Sequence, residues 1–495
     1  MHNGIIENYL DLKNQLKYKV DSANDTAILA EYLEEKAKNN MADFIKAFRE
    51  VKGSYAIVAI NKNEEDSLYI AKNKSPLFIG KTSDGVWIAS DPISLPKEAT
   101  LYELSDKQFA KVSVNNIYIY DNNYNKIDIK PSNIENIFSD SMLGKYPHYM
   151  LKEIEEEGIA ILKQVEYYKT NNVLNEYNSK FIKQFDYIKF IGCGTAYHAG
   201  LMGARFAEKL LGIRASCEIA SEFIYKKPML DNKNTLFILI SQSGETADTL
   251  SAMEIIKENG FTHIALTNVM YSTLARKSQY ILPTLAGPEI AVASTKAYTC
   301  QLTSLYMLTA HLHNALGKDN INYYYNISNI ATQILNFDRL KLDKIARTIY
   351  KSSTAIFLGK DLDYITANEA SLKLKEISYI NSASYPSGEL KHGFLALVEE
   401  GTPLIVFAMG DDIQVSKTLN ASHESIARGA HEILITNRPD KGKVKSNQIY
   451  VDCKDPFLSQ ILAIAPMQYL AYRVSILKGL NPDKPRNLAK SVTVE

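Results

Sequence analysis

Apolar and polar positions give this chain two textures. From Phe185 onward, short apolar runs alternate with longer amphipathic ones. Runs at 187–191, 215–219, 236–240, 263–268 and 280–282 predict buried strands, with helices over 198–211, after Gly244 and over 297–316. A second round follows Lys341: strands at 355–358, 404–408, 432–436 and 448–451, helices at 364–380, 413–428 and 457–477. The two rounds share little sequence, so the repeat is architectural. Strand–helix alternation of this kind predicts two doubly wound α/β units, 179–325 and 341–480, with ligands outside the carboxyl ends of the strands.

The first part, 1–130, reads differently. Helical signals over 25–40 and 41–50 precede strand-like runs at 54–60, 67–72, 76–80, 86–90 and 109–120, separated by polar turns as in an antiparallel sheet. Residues 131–178 predict a linker and a connecting helix. Within it, Glu153-Ile-Glu-Glu-Glu157 reads as a solvated helix face. Residues 481–495 read as an irregular tail.

Composition narrows the function. Lys+Arg and Asp+Glu are both 56 in 495 residues, so no general attraction to nucleic acid or to an anionic membrane is implied. No apolar run approaches the ~20 residues that cross a bilayer, and Met-His-Asn-Gly is not the start of a signal peptide. The expected compartment is the cytoplasm. Cys193, Cys217, Cys300 and Cys453 form no C-x-x-C pair, read as reduced and mostly buried, and indicate no metal site.

Five places can carry chemistry. Ser241-Gln242-Ser243-Gly244-Glu245-Thr246 joins a predicted strand to a helix. Its hydroxyls and N–H groups at a positive helix end suit a phosphate dianion; alternatively Ser243 or Thr246 is simply the N-cap. Glu369, Lys373 and Glu376, spaced four and three apart, share one helix face. They are either a surface ion pair or a proton-transfer pair in a closed pocket. His392, in Gly388-Glu-Leu-Lys-His-Gly393, is an exposed loop histidine or an acid–base group poised near neutrality. Lys490 lies in the tail; its amine forms a Schiff base with a ketone only when uncharged. Ala293-Ser-Thr-Lys-Ala297 is a hydroxyl-rich turn that either helps hold a sugar phosphate or caps the next helix.

Together these motifs resemble one family. Gly192-Cys-Gly-Thr, Ser-Gln-Ser-Gly-Glu-Thr, Val292-Ala-Ser-Thr-Lys-Ala297, Leu372-Lys-Leu-Lys-Glu-Ile-Ser378, Gly388-Glu-Leu-Lys-His-Gly393 and Pro485-Arg-Asn-Leu-Ala-Lys-Ser-Val-Thr-Val-Glu495 look like the glucosamine-6-phosphate synthases, the isomerising glutamine:fructose-6-phosphate amidotransferases. The resemblance covers essentially the whole chain. It implies a glutaminase domain of the N-terminal nucleophile type, here incomplete, followed by two sugar isomerase (SIS) domains. It implies that Ser241, Gln242, Ser243 and Thr246 hold the sugar phosphate, with Thr195, Val292 and Ser294 around the sugar. Lys490 is then the Schiff-base lysine, and His392 assists ring opening from a partner subunit. Glu376 moves the proton between C1 and C2, supported by Glu369 and Lys373. The implied substrates are fructose 6-phosphate and glutamine or ammonia, the product glucosamine 6-phosphate, the assembly a homodimer. No cofactor and no metal are implied.

The chain departs from the family in its first domain. The family's nucleophile is an N-terminal cysteine, whereas here residue 2 is His2 and no cysteine precedes Cys193. By the resemblance, Asn3 and Gly4 match the oxyanion hole and Asp25 the acid that holds the glutamine amino group. Glutamine hydrolysis is therefore not expected of the sequence as written. The favoured expectation is an incomplete synthase, with an in-frame Met-Cys-Gly start about one hundred residues upstream. The alternative is a short form that uses free ammonia or only isomerises the sugar. Ala196 replaces a serine often found near the phosphate. Two competing readings are a double-SIS deaminase or deglycase of phosphorylated amino sugars, and a non-catalytic sugar-phosphate sensor.

Overall fold

Two five-stranded parallel sheets share one strand order in the larger part of the chain, as seen in a computed structural model. The structure describes all residues except 19, 23, 38–39, 74, 76, 91–93, 97, 130, 134–141, 227–233, 439–446 and 491–495. The first sheet runs Arg214–Ile219, Tyr187–Gly192, Thr235–Ser241, His263–Thr267, Tyr280–Pro283. The second runs Asn381–Pro386, Thr354–Gly359, Pro403–Ala408, His431–Thr436, Gln448–Tyr450. Both have the doubly wound 2-1-3-4-5 order, which opens a crevice at the carboxyl ends where the order reverses. Thr235–Ser241 and Pro403–Ala408 are buried at every position, hence their unbroken apolar runs. Asn381–Pro386 is the one strand here that the apolar pattern missed; it is a polar edge strand specified by its partner Thr354–Gly359.

The two copies turn from strand to helix in the same way. Gly192 and Gly359 end their strands, and a residue with positive φ follows two positions later, Gly194 (53°) or Asp361 (56°). The helices Thr195–Phe206 and Leu362–Ser378 then fold back onto the strand ends. A Cβ on Gly192 would sit 2.9 Å from the Ala196 carbonyl carbon, and one on Gly359 2.4 Å from that of Asp363. Asp361 adopts this conformation without being glycine. Its carboxylate accepts from Arg205 Nε at 2.8 Å and pairs with Lys209 Nζ at 2.8 Å. Lys209 lies in a π-helical turn, Ala207–Leu211, so the helix predicted over 198–211 is two pieces. Leu362–Ser378 packs against Leu458–Leu477 and Thr195–Phe206, which puts its inner face in the middle of this unit.

The connector is helical as its sequence reads, but its acidic run is not the solvated face expected. It forms the helices Tyr149–Glu155 and Glu157–Thr170, and within the acidic run Glu153 is 1% and Glu157 0% exposed. The run faces the core because Glu157–Thr170 packs against Lys296–Ala315 and Tyr323–Gln333. The tail is irregular up to Lys490 but anchored: the Asp483 carboxylate accepts the Tyr149 and Met150 N–H groups at 2.9 and 2.8 Å. Of the cysteines, which are free, only Cys300 is fully buried, less than the sequence reading expected.

The other unit, which takes in Met1–Met142, holds two antiparallel sheets. His2–Ile6, Gly53–Ile60, Leu68–Asn73, Gln108–Val112, Ile117–Tyr120 and Lys126–Ile127 form the larger one. Ser132–Asn133, Thr100–Glu103, Phe78–Lys81 and Val86–Ala89 form the smaller. Helices Asp25–Lys36 and Met41–Phe48 start at the capping side chains of Asn24 and Asn40 and cover the larger sheet through Phe44, Phe48, Tyr69 and Phe109. The run at 109–120 is a hairpin, not one strand, because Asn115-Asn116 supplies turn chemistry between its halves. Strands His2–Ile6 and Thr100–Glu103 and helix Tyr9–Asn14 had no clear sequence signal.

Gly359→Ala forces its new methyl into the Asp363 backbone. It is expected to lower stability by about 1–3 kcal/mol, as overpacking against an immovable neighbour does. A urea melt with an unchanged midpoint would show that the turn has room.

Candidate active site

The inner face of Leu362–Ser378 carries three charged side chains. Lys373 Nζ lies 2.6 Å from Glu376 Oε2, 3.4 Å from Glu369 Oε1 and 3.1 Å from the Thr195 hydroxyl. Thr195 in turn donates to Glu369 Oε1 at 3.0 Å, and His198 Nδ1 sits 2.7 Å from Glu369 Oε2. Lys373 and Glu369 are 0% exposed and Glu376 is 22% exposed, so the surface ion-pair reading is excluded. Burial disfavours the Lys373 ammonium, but Glu376 and Glu369 outweigh it and hold its pKa above the ordinary lysine range. The cluster joins the two SIS-type folds through a permanent cation. Removing one partner of such a buried pair typically costs about 3–5 kcal/mol. His198 escaped the sequence reading, although it stands one helical turn from Thr195.

A second cluster surrounds Glu289, which the sequence reading also missed. Its carboxylate, fully buried, accepts the N–H groups of Thr295 at 2.8 Å and Ala297 at 3.0 Å and the Ser294 hydroxyl at 3.0 Å. Lys490 Nζ pairs with it at 2.5 Å. Glu289 therefore caps the helix Lys296–Ala315, and the side chain of Thr295, the N-cap residue, does not. Val292 N–H donates to the Asp483 carbonyl at 3.1 Å, which seats the tail beside this turn. Burial pushes the Glu289 carboxyl up, but the Lys490 ammonium and the backbone donors outweigh it and hold it below the usual range. Glu289 also contributes to the field at Lys373, so the two clusters are electrostatic neighbours.

The serine-rich loop leaves Thr235–Ser241 at the same sheet end as Thr195. The strands are adjacent, with Ile191 opposite Leu239. Ser241 is buried and its Oγ accepts the Gly244 N–H at 3.0 Å. The Gln242 carbonyl accepts from Asn268 N–H at 3.2 Å, while the Gln242 and Ser243 side chains remain half-buried. Thr246 directly precedes the helix Ala247–Glu258. His392 follows the 3-10 turn Ser387–Lys391 with its side chain exposed, outside both clusters among the described residues. In the other unit, Asn3 and Gly4 pair with Ala56 and Tyr55. The Asp25 carboxylate there accepts the Ile6 N–H at 2.9 Å. Among the described residues no group of His, Cys, Asp and Glu is placed to hold a metal ion, and no helix is long and apolar enough to cross a membrane.

Comparison with known proteins defines first a class: a glutamine amidotransferase domain model matches residues 1–97 and the SIS domain model matches 181–311 and 348–478. Over its whole length the chain is 39% identical to the glutamine–fructose-6-phosphate aminotransferase (isomerizing) of Oceanobacillus iheyensis and 40% identical to that of Clostridium acetobutylicum, covering 84% of each. The chain belongs to this aminotransferase family. Among solved structures, the C-terminal domain of the Francisella tularensis glucosamine-fructose-6-phosphate aminotransferase matches 70% of the chain and 100% of that domain, with TM-score 0.63 and 34% identity. A Thermotoga maritima glucosamine-6-phosphate deaminase matches 70% of the chain and 99% of its own, with TM-score 0.56 and 27% identity.

Behind Glu289 lie two more buried carboxyls. Glu153 accepts the Ile290 and Ala291 N–H groups, and burial, with Glu289 adding to it, pushes its pKa up. Burial pushes Glu157 up to about 8, and neither of its oxygens has a hydrogen-bond partner among the described residues. The folded chain thus holds the Glu157 proton at neutral pH, while the unfolded chain releases it above the ordinary carboxyl range near pH ~4.3. That contribution to stability is complete below the unfolded value and is lost as pH rises to about 8. Glu157→Gln removes the dependence. Its urea midpoint is expected to fall less than that of the parent between pH 5 and pH 8; equal slopes would mean Glu157 is ionised when folded.

Proposed function

We propose that this chain converts fructose 6-phosphate to glucosamine 6-phosphate, the entry to amino-sugar synthesis, in the cytoplasm and as a homodimer. The observation that carries this reading is Lys490, an amine on an irregular tail held beside the buried Glu289 at the edge of the Glu369–Lys373–Glu376 cluster. Phosphate binds at Ser241, Gln242, Ser243 and Thr246, with Thr195, Val292 and Ser294 around the sugar. Lys490 gives up its proton to solvent, and the free amine adds to C2 with loss of water, forming the Schiff base. Ammonia, supplied as such or from glutamine, displaces the lysine and leaves its nitrogen on C2. Glu376 then takes a proton from C1 and returns it at C2, giving the aldose with its amine and no net redox change. Lys373, held cationic, positions Glu376 as the base, and Glu369 fixes Lys373. In the glutaminase part, Asn3 and Gly4 serve as oxyanion donors and Asp25 as the glutamine anchor. The deaminase reading gains from the Thermotoga maritima likeness but gives the tail lysine no task.

The test is purified chain with fructose 6-phosphate and either ammonium or glutamine, scoring glucosamine 6-phosphate. Product with at least one donor is expected, and Lys490→Arg is expected to abolish it with the fold intact. Unchanged turnover in Lys490→Arg would favour the deaminase, and no turnover of any phosphorylated sugar would favour the sensor.

His392, exposed in its own protomer, assists ring opening in the partner's site. Mixed and re-equilibrated His392→Ala and Lys490→Ala chains are then expected to regain about a quarter of parental activity, since half the dimers are mixed and each has one intact site. No recovery would place His392 in its own chain's site, and an active His392→Ala chain would place it outside.

A further inference from the structure

Superimposing the two SIS folds by their strand register aligns their ligand loops residue by residue. Ile191 pairs with Leu239 in the first sheet and Leu358 with Val406 in the second. Counting forward from these pairs puts Ser241 level with Ala408, and the Gln242-Ser243 peptide level with Met409-Gly410. On the neighbouring strand, Gly192 corresponds to Gly359, Gly194 to Asp361 and Ala196 to Asp363. The first fold therefore has a methyl where the second has a carboxylate.

That carboxylate is not idle. Asp363 is 2% exposed, and its Oδ2 accepts the N–H groups of Met409 at 2.8 Å and Gly410 at 3.2 Å. Its Oδ1 accepts Gln460 Nε2 at 2.8 Å, and the Thr366 hydroxyl fixes the Gln460 oxygen at 2.6 Å. Successive backbone N–H groups at a strand-to-helix turn are an anion-binding concavity. In the second domain it is filled from within. The second loop also offers no hydroxyl where the first has Ser243, and it leads into Asp411 and Asp412 at the helix start. A carboxylate there disfavours a second anion.

We infer that Asp363 confines sugar-phosphate binding to the first SIS domain, because its carboxylate stands in the second domain where the substrate phosphate stands in the first. This rests on the serine-rich loop being the phosphate site. One domain then binds, and the other, with the same topology, is closed to phosphate by a single side chain and is left to supply Glu369, Lys373 and Glu376.

Equilibrium dialysis of inorganic phosphate against the full chain tests the inference, using Asp363→Ser and the reciprocal Ala196→Asp. The expected result is one phosphate per chain in the parent, one more in Asp363→Ser, and none in Ala196→Asp at unchanged circular dichroism. A parent with no phosphate and an Asp363→Ser chain with one would sink the serine-loop reading while keeping Asp363 as the plug. One phosphate in both the parent and Asp363→Ser overturns the inference and leaves the serine loop standing; none in either overturns both. If Asp363→Ser does not fold, Ala196→Asp decides alone: lost binding supports the inference, and retained parental affinity overturns it.

Discussion

A lysine ammonium with no solvent around it holds the catalytic half of this chain together. Lys373 reaches two carboxylates of its own helix and, through Thr195, the first turn of a helix in the preceding SIS domain. Buried charge is tolerated only when it is paired and hydrogen-bonded in this way. Glu369 is wholly enclosed by Lys373, Thr195 and His198, whereas Glu376 keeps one side open. The arrangement separates two like residues on one helix: an inner carboxylate enclosed by its partners and an outer one partly exposed.

The same solution recurs at four places among the described residues where backbone leaves regular structure. Glu289 takes the N–H groups of Thr295 and Ala297, Glu153 those of Ile290 and Ala291, Asp483 those of Tyr149 and Met150, and Asp363 those of Met409 and Gly410. Each carboxylate satisfies donors that a loop or helix end would otherwise bury unpaired. Two of these contacts, at Asp483 and Glu289, bring an aperiodic tail into register with the site, so that Lys490 is held by electrostatics without belonging to a helix or strand.

What could be read beforehand follows from this division. Parallel strands buried on both faces write themselves as apolar runs, so both doubly wound folds were visible at nearly the right residues. Asn381–Pro386 was not, since an edge strand takes its pairing from its neighbour. The serine loop, Thr195 and the Glu369–Lys373–Glu376 face were visible through spacing and resemblance. Glu289, His198 and Asp363 were not, because a carboxylate's or imidazole's partner lies far away in sequence: Lys490 is 201 residues from Glu289, and Glu369 is 171 from His198. For the same reason the acidic run at Glu153 reads in sequence as a solvated face; charge alone does not reveal which backbone it caps.

In the proposed function, Lys490 is the amine that meets the sugar carbonyl. Borohydride reduction of the full chain in the presence of fructose 6-phosphate, followed by peptide mass mapping, traps such an imine as a stable secondary amine. A single hexose-phosphate adduct on Lys490 is expected, lost when excess inorganic phosphate competes. An adduct on another lysine, or product formation with no trappable adduct at Lys490, contradicts it.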